Sequence, residues 1–225
     1  MNRVQQLERK QRRVEKRRRR RWDSLTDWAR VQARSILMPV ARALGRLGVH
    51  PNAITLLGML LQVGVAVLFG LGHITLGGWL LLAVAPVDAL DGALARVLGK
   101  ESRFGAFLDS TLDRVVDMAI LLGILMHYAK VGDLHLALLA GLASIATVMV
   151  SYTKARAESI VSDFNTGIME RAERVLLLVA GALTGYLPLS LGIVAAGSAI
   201  TAIQRVATAY REMAQLDAAA QGEKT

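Results

Sequence analysis

Cysteine is absent from the 225 residues, which excludes a disulfide framework and any zinc or iron–sulfur site held by thiolates. Aromatic residues are scarce at 5%, against 53% hydrophobic residues in all. Net charge is missing from most of the chain as well. Residues 1–22 hold eleven basic side chains against Glu8 and Glu15, a surplus equal to the whole formal charge of +9, so the remainder is neutral. With a mean hydropathy of +0.40, this composition suits one helical membrane domain better than a soluble enzyme.

The basic tail, residues 1–22, has no cleavable apolar core directly after it and does not read as a secretory signal. No base-reading fold follows it, which argues against nucleic acid as a partner. It reads instead as an arm held at an anionic cytoplasmic leaflet, each basic residue contributing about 1 kcal/mol there. Residues 23–50 then alternate apolar positions (Trp28, Val31, Ile36, Leu37, Val40, Leu44, Leu47) with Arg30, Arg34, Arg42 and Arg46. That pattern predicts a juxtamembrane amphipathic helix lying in the interface, or a helix packed on the membrane domain. Gly48–Pro51 breaks it, and Asn52 is placed to cap the next helix.

Six apolar segments follow, near 54–72, 74–97, 104–129, 134–152, 175–186 and 189–209. Each approaches the roughly 20 residues that span a bilayer, except the fifth, whose helix is expected to begin nearer Met169. The predicted fold is therefore an all-α integral membrane protein with six transmembrane helices in residues 51–213, followed by a frayed tail, 214–225. Loops on one side contain Lys130 as their only basic residue, whereas the other side holds Arg96, Lys100, Arg103, Lys154, Arg156, Arg171, Arg174, Arg205 and Arg211. The positive-inside rule puts that second side, with both termini, in the cytoplasm. The expected location is the cell membrane, crossed several times.

Within this apolar sequence, residues 88–113 read DALDGALARVLGKESRFGAFLDSTLD. Asp88 and Asp91 are three apart and Asp109 and Asp113 four apart, spacings that put each pair on one helix face. Ionised groups in a membrane helix are costly and mark a functional site with a partner. Clustered at the cytoplasmic mouth, four carboxylates repel one another, and a cation relieves the repulsion. Oxygen-only ligands favour magnesium, manganese or calcium over zinc or copper. Gly92 and Gly105 offer bare backbone to a ligand, or tight helix packing. Arg96 has the forked donors that suit a phosphate. The local chemistry is phosphoryl transfer with a metal-bound diphosphate. Lys154, Arg174 and Arg205, at the cytoplasmic ends of three spans, read either as cations for a second, phosphorylated substrate or as membrane anchors.

The set Asp88, Asp91, Gly92, Ala95, Arg96, Gly105, Asp109 and Asp113 resembles, without a mismatch, the signature of the CDP-alcohol phosphatidyltransferase family. The resemblance covers residues 51–211 and implies a six-helix membrane enzyme, a homodimer, that displaces CMP from a CDP-linked lipid with a hydroxyl of a second substrate. It implies that Asp88, Asp91, Asp109 and Asp113 bind two Mg2+ ions, with Mn2+ an alternative, and that Asp113 is also the general base. Asn52, Ala53, Ile54 and Thr55, with Gly92, Arg96 and Ser102, are implied as contacts of the CDP-lipid. The runs DSTLDRVVD, SYTKARAE and ERAER resemble the branch that makes phosphatidylinositol phosphate. Resemblance to that branch implies CDP-diacylglycerol and inositol phosphate as substrates, with Lys154, Arg174 and Arg205 on the acceptor phosphate. Glycerol 3-phosphate is the competing acceptor. A cation or proton transporter is the competing class, disfavoured because no acids line the outer half of the spans.

Arg156, Arg171 and Arg211 are expected to be positive-inside anchors. Asp117 is expected to orient a ligand or pair with Arg114, and Glu158 to pair with Arg156 or Arg174. The four histidines have no ligand spacing near the acids and read as structural or interfacial.

Overall fold

A computed structural model describes residues 37–161, 164 and 166–222. The basic tail and the first part of the juxtamembrane segment lie outside the described residues. Those described form seven helices and, among them, no strand. Residues 37–46 are helical (α1), followed by α2 (Pro51–Gly70), α3 (Ile74–Leu98), α4 (Arg103–Lys130), α5 (Leu134–Glu158), α6 (Arg171–Thr184) and α7 (Leu187–Gly222).

All six apolar segments are thus helical. By length and apolarity, α2, α5 and residues Leu187–Ala218 of α7 qualify as membrane spans. The α3 and α4 helices carry the charged residues of the signature. With 14 residues, α6 reaches only about 21 Å at 1.5 Å per residue, short of a hydrocarbon core of about 30 Å. It begins at Arg171, near the early start expected, and the Glu170 N–H donates to Glu173 Oε2 at 3.1 Å to satisfy a free helix-end donor. The expected frayed tail is corrected: α7 runs on to Gly222, because the run DAAAQ is rich in alanine, the strongest helix former.

The chain divides into two compact units. One joins the described residues up to Pro51 with Ala89–Glu101. In it Ala41 and Leu94 are fully buried, and a Cβ added at Gly45 would stand 3.1 Å from the Leu98 side chain. The apolar face of α1 is therefore packed on the last turns of α3.

The other unit comprises Asn52–Asp88 and Ser102 onward. Its core is mostly aliphatic, with Leu81, Ile124, Ala140, Ala143, Leu191 and Val194 completely shielded along with the aromatic Phe69. The α5 helix packs on α4 and α7, and α6 packs on α7. Small residues set the closest approach: a Cβ on Gly123 of α4 would overlap the Ala66 carbonyl oxygen of α2, so the two backbones meet as small-residue membrane helices do. Outward-facing Leu60, Leu138, Ile145 and Ile203 are each more than 60% exposed. Water would penalise such a surface, and lipid would not; the molecule is a membrane protein.

Candidate active site

Asp88 sits on α3 two residues beyond Pro86, a proline inside the helix that removes one backbone donor from its ladder. Its Oδ1 accepts from Gln62 Nε2 of α2 at 2.8 Å, and its Oδ2 from Arg171 Nη1 of α6 at 2.6 Å. A Cβ at Gly58 would stand 3.1 Å from Asp88 Oδ1, so glycine there admits the carboxylate against α2. On α4, Asp113 Oδ1 is 2.8 Å from the same Arg171 Nη1. One turn further, Asp117 meets Arg171 Nε at 3.3 Å and Arg174 Nη2 at 2.6 Å. Arg171 Nη2 also donates to Gln62 Oε1 at 3.3 Å. One guanidinium therefore binds three carboxylates and an amide from three other helices.

Asp88 of α3 and Asp113 of α4 thus converge on one guanidinium. Among the described residues, however, no three acidic or histidine side chains already stand at metal-holding spacing. Asp88, Asp113 and Asp117 gather instead around Arg171, whose positive charge offsets their repulsion. The donor chemistry fits a hard divalent ion: oxygen-only ligands, two of them already meeting at one cation. Asp109 is half-buried on α4. In the other unit, Asp91 is buried and the guanidinium of Arg96 lies over Gly92, 3.6 Å from where a Cβ would be.

The three expected acceptor-binding cations do come together. Lys154, Arg174 and Arg205 line one cavity of about 330 Å³ with Asp113, Asp117 and Arg171. Arg174 and Arg205 are 4% and 3% exposed, so neither is a surface anchor. Arg205 donates from Nε to the Thr166 carbonyl and from Nη1 to the Val150 carbonyl, both at 2.6 Å. It ties the segment before α6 to α5 and fixes the cavity wall.

Near the starts of α2 and α4, the Gly105 N–H donates to Ser102 Oγ at 2.9 Å. A Cβ at Gly105 would stand 3.0 Å from Ser102 Oγ and 3.5 Å from Asn52 Oδ1. Two helix N-termini, each a favourable end for a phosphate, are therefore neighbours. Of the residues after Asn52, Ile54 is buried, Ala53 exposed and Thr55 half-buried.

Several expectations are corrected. Asp117 pairs with Arg171 and Arg174, while Arg114 turns back to the Ser110 carbonyl of its own helix at 2.6 Å. Glu158 faces Lys154 at 4.0 Å, and Arg156 donates to Ser159 Oγ. Arg171 is no anchor but the hub of the site. The spacing of Arg171 and Arg174, three apart on α6, was the available signal; what they face depended on the packing of α6.

Carboxylates beside a cation-lined cavity in an all-helical membrane protein are suited to holding a phosphorylated ligand at the membrane. The model of the CDP-alcohol phosphatidyltransferase family matches residues 48–209, and the chain belongs to that family. It is 42% identical over 214 residues to a phosphatidylinositol phosphate synthase of Streptomyces avermitilis, the match covering 88% of each chain. It is 38% identical to an archaetidylinositol phosphate synthase of Pyrococcus horikoshii, over 82% of this chain and 96% of that one. The Mycobacterium tuberculosis phosphatidylinositol phosphate synthase with CDP-DAG bound is similar in structure: TM-score 0.74, 34% identity, covering 78% of this chain and 94% of that one. Its complex with manganese and citrate gives a TM-score of 0.73 at 34% identity, covering 77% and 88%. Family membership sets the transporter alternative aside.

Proposed function

We propose that the protein transfers the phosphatidyl group of CDP-diacylglycerol to inositol phosphate, giving phosphatidylinositol phosphate and CMP. The observation that carries this is the single cavity in which Asp113 stands with Lys154, Arg174 and Arg205. These cations would hold the acceptor phosphate, and Asp113 would take the proton of the acceptor hydroxyl within hydrogen-bond reach. The hydroxyl oxygen then bonds to the phosphatidyl phosphorus, and the bond from that phosphorus to the CMP oxygen breaks. Asn52 to Thr55 and Ser102, at two neighbouring helix starts, would receive the CDP phosphates with Gly92 and Arg96. Asp88, Asp91, Asp109 and Asp113 would hold divalent ions, two Mg2+ or Mn2+. Such ions, when bound, neutralise charge on the diphosphate and on the departing oxygen.

The choice of acceptor is supported by relatives whose names differ in the lipid yet share inositol phosphate. The charge bias between loops supports six spans with the site and both termini cytoplasmic in the cell membrane; the homodimer rests on the family pattern.

The test is CMP release by purified protein with CDP-diacylglycerol and Mg2+, comparing inositol phosphate, free inositol and glycerol 3-phosphate. Release with inositol phosphate alone is expected, and Asp113→Asn should abolish it while leaving the protein folded. Preference for glycerol 3-phosphate would overturn the acceptor, and a fully active Asp113→Asn would remove Asp113 as the base.

A further inference from the structure

Arg171 occupies the junction between two sites that must be filled by different ligands. Its Nη1 holds one oxygen of Asp88 at 2.6 Å and one of Asp113 at 2.8 Å, and Gln62 takes the other Asp88 oxygen at 2.8 Å. A divalent ion placed on those carboxylates would stand close to the guanidinium and be repelled by it, so the two cations compete. Yet Arg171 also lines the acceptor cavity, and it meets Asp117 through a different nitrogen, Nε, at 3.3 Å. The side chain can therefore release Asp88 and Asp113, keep Asp117 as a pivot, and turn its fork into the cavity.

We infer that Arg171 is a built-in counter-ion that competes with the metal for Asp88 and Asp113 and, once displaced, becomes a further cation for the acceptor phosphate. Metal loading then prepares the acceptor pocket. The inference rests on the reading of Asp88 and Asp113 as metal ligands. By linkage, the acceptor must in turn tighten metal binding by the same factor.

The experiment titrates Mn2+ into full-length protein in detergent without substrates, following free Mn2+ by its paramagnetic resonance signal. Wild type, Arg171→Gln, Arg171→Lys and Asp109→Asn are compared, with their melting temperatures. Arg171→Gln should bind Mn2+ about ten-fold more tightly than wild type or better, the effect of no longer breaking a charge-assisted bond. Arg171→Lys, a point charge unable to fork between two carboxylates, should fall between. Calorimetric titration with inositol phosphate should show tighter acceptor binding with Mn2+ present in wild type, and no such coupling in Arg171→Gln. If Arg171→Gln does not fold, Arg171→Lys decides alone: Mn2+ affinity no higher than wild type overturns the inference. Mn2+ affinity lowered by Asp109→Asn but unchanged by the Arg171 variants overturns the inference and spares the metal site. Mn2+ affinity unchanged by Asp109→Asn overturns the metal-site reading with it.

Discussion

Arg174 stands both in a buried ion pair and in the wall of the proposed acceptor cavity. It is 4% exposed, bonded to Asp117 at 2.6 Å and to the Met169 carbonyl at 3.3 Å. Removing one partner of a buried ion pair costs about 3–5 kcal/mol. Arg171 remains on Asp117, so Arg174→Ala should fall at the low end, about 3 kcal/mol, in chemical denaturation. Kinetics separate the two roles: the acceptor KM should rise at least about ten-fold with the CDP-lipid KM little changed. An unchanged acceptor KM alongside the stability loss would make Arg174 purely structural. At this scale the aspartates were legible in the sequence, because helical spacing alone pairs them. The partner of Asp117 was not, since Arg171 and Arg174 lie 54 and 57 residues away and their side chains meet it only after α6 docks.

Helices report a different division. That the segments from 51 onward are helical was readable from their apolar length, and the early start of α6 from its position near Met169. How closely they pack was not, because Gly123 and Gly64 look alike in sequence. A Cβ on Gly123 would run into the Ala66 backbone, whereas Gly64 has nothing within 4 Å. Gly123→Ala should therefore cost roughly 1–3 kcal/mol, the range for overpacking. Its melting temperature should drop by about 2–4 °C for each kcal/mol. Gly64→Ala should be neutral or stabilising by up to about 1 kcal/mol, since alanine is the better helix former. Equal melting temperatures for the two variants would show that α2 and α4 are not in backbone contact.

For the whole molecule, the lack of cysteine makes topology directly measurable. Single cysteines placed at Gly132, between α4 and α5, and at Gly99, between α3 and α4, can be probed in intact cells with a membrane-impermeant maleimide. The loop charge bias predicts labelling of Gly132→Cys from outside and protection of Gly99→Cys until the membrane is permeabilised. The reverse pattern would invert the orientation and move the aspartates to the other face. Composition and apolar run length pointed to the class: an aliphatic, cysteine-free chain, neutral apart from its basic tail, whose long apolar segments suit helices that satisfy their own backbone polar groups in lipid. The sequence likewise determined the signature aspartates and their pairing, since three- and four-residue spacings place side chains on a common helix face whatever the helix packs against. Only tertiary structure decided which cation stands among Asp88, Asp113 and Asp117, and that Lys154, Arg174 and Arg205 share one cavity. Those choices depend on how Asp88 of α3 and the helices α2, α4, α5, α6 and α7 come together over long sequence separations, and no local spacing encodes that.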